Sequence, residues 1–189
     1  MTTASLPIDG ELFQQAWYVD DLDRAIAEWH RVFGAGPFVT SHHHRCDEFD
    51  HRGSPAQADV SYSFGYLDDT MIQFIVQHDD TPSIYTEMYP DGVARSGAGH
   101  DGPAGCGFHH SGYLVHDFEG EFRRLESLGF ECATRLHADN VDAAYFDTRS
   151  VTGGYTEIHG DPPHILDAFA GWRAAHERHT ADASPHLRR

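Results

Sequence analysis

The chain repeats itself. Residues 12–34 read LFQQAWYVDDLDRAIAEWHRVFG, and residues 108–129 read FHHSGYLVHDFEGEFRRLESLG. In each copy a strand-like run ends at a valine (Val19, Val115), and an aspartate follows two positions later (Asp21, Asp117), at an offset of 96 residues. Aspartate before an apolar-periodic segment is a helix N-cap signal, because its carboxylate accepts first-turn N–H groups that have no partner inside the helix. The next apolar residues, Leu22, Ile26, Trp29, Val32 and Phe33 in one copy and Phe118, Phe122, Leu125 and Leu128 in the other, keep the three-and-four spacing of a helix with one buried stripe. Gly34 and Gly129 stand where a left-handed C-cap is expected.

Strand signals come after both helices. Asp59–Gly65 and Thr70–Gln77 flank Leu67-Asp68-Asp69, which reads as a hairpin turn, and Glu131–Leu136, Ala143–Thr148 and Gly154–His159 fill the same role in the second half. Each half is therefore strand, helix and about three strands. Neither half buries both faces of so small a sheet, so the two are expected to pair within one domain spanning residues 1–189. The expected fold class is α+β, with βαβββ modules at 11–77 and 108–160. Residues 78–107 connect them, and Asp91–Gly107 is glycine-rich, read equally as a loop or lid and as a mobile linker. Asp161-Pro162-Pro163 stops the last strand. Residues 161–189 form a C-terminal helix and tail, the helix running from Leu166 to about Arg178 with Leu166, Phe169 and Trp172 on one side, frayed from Thr180.

Composition narrows the function. Thirteen basic against 30 acidic residues give a net charge of −17, which argues against a nucleic-acid backbone or an anionic membrane as partner. All 13 basic residues are arginine, so Schiff-base chemistry and Walker-type phosphate loops, which need lysine, are excluded. The three cysteines, Cys46, Cys106 and Cys132, contain no CxxC and predict neither a disulfide framework nor a thiolate zinc site. No run of 18 apolar residues and no signal-peptide pattern occur, and the expected location is the cytoplasm. Sixteen histidines are too many to be all functional. The His42-His43-His44 run is read as a solvated loop, and His116 and His159 as surface residues or outer neighbours of a site.

Equivalent positions locate the candidate chemistry. Seven residues before each capping aspartate stand Gln14 and His110, near the starts of related strands. Gln73 lies within MIQFIV and Glu157 within GYTEIHG, each flanked by apolar or aromatic neighbours, as an inward residue between outward ones would be. A two-fold arrangement of the modules brings the four together. One imidazole nitrogen, two amide oxygens and one carboxylate suit a six-coordinate divalent ion with two positions left for water or substrate, and suit tetrahedral structural zinc poorly.

The doubled pattern, the VxD turn into a helix, FGAGPF after the first helix and the closing GGYTEIH resemble the vicinal oxygen chelate superfamily over roughly residues 11–160. That family includes glyoxalase I, methylmalonyl-CoA epimerase, ring-cleaving dioxygenases and metal-free resistance proteins. The resemblance implies a cup-shaped, partly open eight-stranded barrel. It also implies one divalent metal (Co, Mn, Ni, Zn, Fe or Mg) on Gln14, Gln73, His110 and Glu157, and a homodimer. The dioxygenase pattern of two histidines and a carboxylate is not met, since Gln14 replaces one histidine and His109 points away if its strand is regular. Glutamine at position 14 is similar to some glyoxalase I enzymes, and Gln73 to the epimerase, where glyoxalase I usually has glutamate.

The implied activity is stabilisation of an enolate or enediolate during proton transfer in a small carbonyl substrate, of isomerase or epimerase type. A glyoxalase I-like lyase and a non-enzymatic, resistance-type binder are the alternatives. Glu157 is the first candidate base, and the second is sought in HHHRCDEFDHRG, which offers Asp47, Glu48 and Asp50, with Glu48 or Asp50 favoured. Coenzyme A phosphates would call for basic groups, for which the chain offers Arg45, Arg52, Arg95, Arg135 or Arg149; a compact, partly apolar carbonyl compound suits the aromatic content better. Tyr62 or Tyr113 could line its pocket.

Overall fold

In the first half of the chain the elements run β1 (Gly10–Val19), α1 (Leu22–Phe33), β2 (Val39–His44), β3 (Glu48–His51), β4 (Ser54–Pro55), β5 (Val60–Leu67), β6 (Thr70–Gln77) and α2 (Ile84–Met88). The second half has β7 (Cys106–Val115), α3 (Phe118–Ser127), β8 (Cys132–Ala138), β9 (Val141–Phe146), α4 (Arg149–Thr152), β10 (Tyr155–Gly160) and α5 (Pro163–Glu177). This is a computed structural model that describes residues 7–93, 104–180 and 182–187. Most of the glycine-rich stretch, with Arg95, lies outside the described residues.

Asp21 Oδ1 accepts the Arg24 N–H at 3.0 Å and Asp117 Oδ1 that of Gly120 at 2.9 Å, so both aspartates cap as their spacing predicts. Gly34, at φ 72°, closes α1 in the left-handed region that glycine enters without a Cβ penalty. Ile26 packs with Val19, Phe38 and Phe74 beneath α1, and Leu125 with Val115, Phe146 and Ile158 beneath α3. The expected stripes overreach at their C-terminal ends: Val32, Phe33 and Leu128 are exposed, because the last turn of each helix runs past the sheet it covers.

The sheet order is β2-β5-β6-β1-β7-β10-β9-β8-β3-β4. β1 and β7 pair antiparallel at the centre, β1 with β6 and β7 with β10 parallel, so the two four-stranded halves mirror each other in topology. The fold is the curled α+β half-barrel expected, with ten strands rather than eight. The added strands are the β3–β4 hairpin, which leaves the first half and pairs with β8 at the far edge of the second (Glu48 opposite His137, Phe49 opposite Leu136). The His42-His43-His44 run correspondingly ends strand β2 instead of forming a free loop.

Two β-bulges interrupt the central pair. Leu12 pairs with Tyr113 and Gln14 with Gly112, leaving Phe13 extra; Ala16 pairs with His110 and Trp17 with Phe108, leaving His109 extra. Phe13 and His109 occupy equivalent places in the two copies, so the irregularity is duplicated along with the modules. Residues 182–187 of the tail are docked: Phe38 N–H donates to Pro185 O at 2.7 Å and Leu187 N–H to Phe38 O at 2.8 Å. Among the described residues no helix is long and apolar enough to cross a membrane.

Candidate metal centre

Strand register brings the four predicted side chains together. Gln73, Ala16 and His110 form one row across β6, β1 and β7, and Gln14, Gly112 and Glu157 form the next across β1, β7 and β10. Each pair of polar side chains thus flanks a residue with little or no side chain. A Cβ built on Gly112 would meet Glu157 Oε2 at 2.8 Å, so the space between rows exists because position 112 is glycine.

All four side chains are buried and belong to one chain. Gln14 Nε2 donates to Gln73 Oε1 at 2.7 Å, lies 3.2 Å from His110 Nε2 and reaches Glu157 Oε2 at 3.5 Å. His110 Nε2 is 3.2 Å from the same carboxylate oxygen. The other oxygen of Glu157 accepts the Tyr145 hydroxyl at 2.9 Å. Burial pushes the Glu157 carboxyl up, but hydrogen bonding and charge from His110, with help from His159 and Tyr145, outweigh it and hold the group below its ordinary 4.5. The Tyr145 hydroxyl moves the opposite way, raised by burial and by Glu157, so it stays a donor.

The bulge gives His109 a place that a regular strand would deny it. Its ring is fully buried, with Nδ1 at 2.8 Å from His110 Nδ1 and Nε2 at 3.3 Å from the carbonyl oxygen of Ile84 in α2. A carbonyl only accepts, so His109 Nε2 carries the hydrogen. Burial first, then neighbouring His110, holds the His109 ring well below its ordinary pKa and therefore neutral. Its Nδ1 must then accept from His110 Nδ1–H, which leaves Nε2 of His110 as the atom facing Gln14 and Glu157. His109 is not a fifth ligand candidate but orients one. Neither it nor Gly112 was singled out by sequence reasoning for this role. The isolated glycine inside a strand was a readable signal; the bulge was not.

Gln14, Gln73 and Glu157 line a cavity of about 300 Å³, and His110 is fully buried beside them. Helix α5 covers it with Ile165, Phe169 and Trp172, and Phe64 stacks on Trp172 with ring centroids 5.7 Å apart. The expected stripe was off by one position, since Leu166 is exposed and Ile165 takes its place. His44, Cys46, Tyr62, Asp139 and His159 also line the cavity. The Cys46 thiol is pushed up to about 11, first by burial and then by Asp47 and Asp139, so it is no nucleophile at neutral pH. Tyr113 and His116 are not among the lining residues.

Glu48 and Asp50 lie elsewhere. They line a separate depression of about 630 Å³ with Arg135, His137 and Asp142, because β3 is carried to the outer edge of β8. Asp50 Oδ1 there accepts the Arg135 backbone N–H at 3.2 Å. Of the proposed phosphate binders, Arg52 is held by Glu87, Glu131 and Asp147, Arg149 by Glu87 and Asp147, and Arg135 by Glu119.

A family model described as the Glyoxalase/Bleomycin resistance protein/Dioxygenase superfamily matches residues 13–145, a span that includes Gln14, Gln73 and His110 and stops short of Glu157. No curated protein matches the chain. Among solved structures, the chain is similar to methylmalonyl-CoA epimerase from Mycobacterium tuberculosis at 18% identity and a TM-score of 0.52, covering 88% of this chain and 96% of that one. It is likewise similar to a hypothetical protein from Bacillus halodurans C-125 at 12% identity and a TM-score of 0.53, covering 81% and 95%. At such identities the likeness is one of fold.

Proposed function

Since the chain belongs to the glyoxalase/bleomycin resistance protein/dioxygenase superfamily, we propose that it is a metal-dependent enzyme of isomerase or epimerase type. In this reading Gln14, Gln73, His110 and Glu157 hold one divalent cation, and a small carbonyl compound binds through two neighbouring oxygens. The observation that carries it is the convergence of Gln73 Oε1, His110 Nε2 and Glu157 Oε2 within 2.7–3.5 Å of a single atom of Gln14. A buried carboxylate is costly without a compensating charge. No arginine among the described residues forms an ion pair with Glu157, and His110 Nδ1 is already engaged by His109, so Nε2 is the atom that His110 turns toward the carboxylate. Gln14 turns its amide nitrogen to the other three side chains; with that amide turned over to present its oxygen, the four would fit a hard or borderline divalent ion.

When bound, the cation would supply positive charge opposite the substrate oxygen on which negative charge builds as the α-proton leaves. Glu157 would accept that proton through Oε2 once its carboxylate is released from the cation. Tyr145 fixes the carboxylate by holding Oε1, which leaves Oε2 on the side of the ligand cluster, and proton transfer requires the acceptor within about 3 Å. The aromatic cover from α5 keeps water from the reacting carbon. Delivery of that proton by Glu157 to the neighbouring carbon of the enediolate would give isomerisation, whereas its return to the same carbon gives exchange alone. Epimerisation needs a second group on the opposite face, and His44 and Asp139, which line the cavity, are better placed for it than Glu48 or Asp50. The two-glutamate scheme of a lyase lacks its second member at Gln73, and a simple binding protein has no use for a four-donor cluster beneath its ligand.

Elemental analysis of protein purified without added metal should find close to one divalent ion per chain. His110→Ala and Glu157→Gln should abolish it while circular dichroism stays native. Metal-loaded protein should then exchange deuterium into the α-position of a carbonyl substrate. Protein that folds normally and takes up no divalent ion at any concentration overturns the reading.

A further inference from the structure

The walls of the cavity narrow the class of carbonyl compound that fits it, an inference that rests on the chelating function proposed for its floor. Gln14, Gln73 and Glu157 form its floor, and Ser41, His44, Cys46, Tyr62, Asp139 and His159 add polar groups to its walls. The rest of the lining is apolar, with the flat rings of Phe64, Phe169 and Trp172 beside Leu136, Val141 and Ile165. The Phe64 and Trp172 rings are 19° from parallel, and Phe169 stacks on Phe13 at 16°. No arginine among the described residues lines this space, and Arg52, Arg135 and Arg149 are held by carboxylates outside it. The cavity's own acidic groups, Glu157 and Asp139, would repel a phosphate.

We infer that the substrate is a compact carbonyl compound whose body is a flat apolar or aromatic group without phosphate, carried on two vicinal oxygens, and that Trp172 and Phe169 of α5 are the residues that select it. One solved structure of similar fold is a methylmalonyl-CoA epimerase; this chain, by contrast, is assigned a substrate with no nucleotide handle. A volume of about 300 Å³ holds a ring and a bidentate head group but not a coenzyme A moiety.

Two bidentate probes that differ only in the body test this: benzohydroxamate and acetohydroxamate, titrated into Co(II)-loaded protein and followed by the visible cobalt spectrum. Burying the phenyl ring should make benzohydroxamate bind about 30-fold more tightly. Trp172→Ala and Phe169→Ala should each shrink that ratio at least threefold, with far-UV circular dichroism checking that each variant is folded. Free coenzyme A at millimolar concentration should not compete. Equal affinity for the two hydroxamates, an unchanged ratio in both variants, or competition by coenzyme A overturns the substrate class and leaves the chelating centre standing. If neither probe perturbs the cobalt spectrum, the chelating centre fails and the substrate class with it.

Discussion

Two residues with no candidate chemistry of their own shape the centre. Gly112 leaves the gap into which Gln14 and Glu157 project, and a methyl group there would sit 2.8 Å from Glu157 Oε2 and 3.0 Å from Phe13. The carboxylate is the free end of a side chain and can swing aside, so Gly112→Ala should fold and yet bind metal at least about tenfold more weakly, as losing one coordinating group or its orientation does; isothermal titration with Co(II) against a thermal melt separates the two effects. His109 acts through His110. Replacing it with Phe leaves the His110 Nδ1–H without its partner and takes the ring N–H from the Ile84 carbonyl, which should destabilise the fold by about 1–3 kcal/mol and weaken metal binding by roughly 10–100-fold. His109→Gln, which can both donate and accept, should recover part of each loss. The meeting of Gln14, Gln73, His110 and Glu157 was legible because duplication makes position 14 answer to 110 and places 73 and 157 on corresponding strands. His109 was not, because a one-residue bulge reverses the alternation from which its direction was read.

At the scale of elements, the features that the repeat predicts and those that it omits divide cleanly. Both capped helices and the β5–β6 hairpin are written in local signals. The β3–β4 hairpin is not, since its partner β8 lies more than eighty residues on and nothing in EFDH announces which sheet edge it will extend. A salt-bridge cluster holds it there: Arg52, just after β3, reaches Glu87 of α2, Glu131 and Asp147 at 2.7–2.9 Å, while Arg149 shares Glu87 and Asp147. Asp147 is held well below its ordinary 3.8 by Arg149 first and Arg52 second, and Glu87 below its ordinary 4.5 by Arg52. Carboxylates depressed in the folded state contribute stability above their unfolded values and lose it as pH falls toward the folded ones. The cluster should therefore act in full above about pH 5 and weaken progressively below pH 4.5. Arg52→Ala should lower stability at pH 7 by roughly 1.5–3 kcal/mol, the range for hydrogen bonds to charged groups, and urea midpoints measured from pH 6 to pH 3 should fall less steeply than in the parent. Parallel slopes would show that these carboxylates owe nothing to Arg52.

The whole molecule is two halves joined along β1 and β7, with the candidate centre astride that seam, two donors from each side. Such a placement would make a bound cation a cross-link between modules, while hydrogen bonds among the same side chains let the seam close without one: the Gln14 amide spans from Gln73 within its own half to Glu157 across the seam. The protein should thus remain folded after chelator treatment, unlike small zinc domains whose metal is their core. Far-UV circular dichroism should be unchanged, and hydrogen exchange should rise chiefly in β1 and β7. Adding a divalent ion back at about a hundred times its dissociation constant contributes about 2.7 kcal/mol by mass action, which for a chain of this size corresponds to a melting shift of roughly 5–10 °C. His110→Ala and Gln73→Leu remove a donor from opposite sides of the seam, and both should abolish the shift. A chain that melts identically with and without every divalent ion tested would leave the two halves held by packing alone, and the four converging side chains would then be a buried hydrogen-bond network and nothing more.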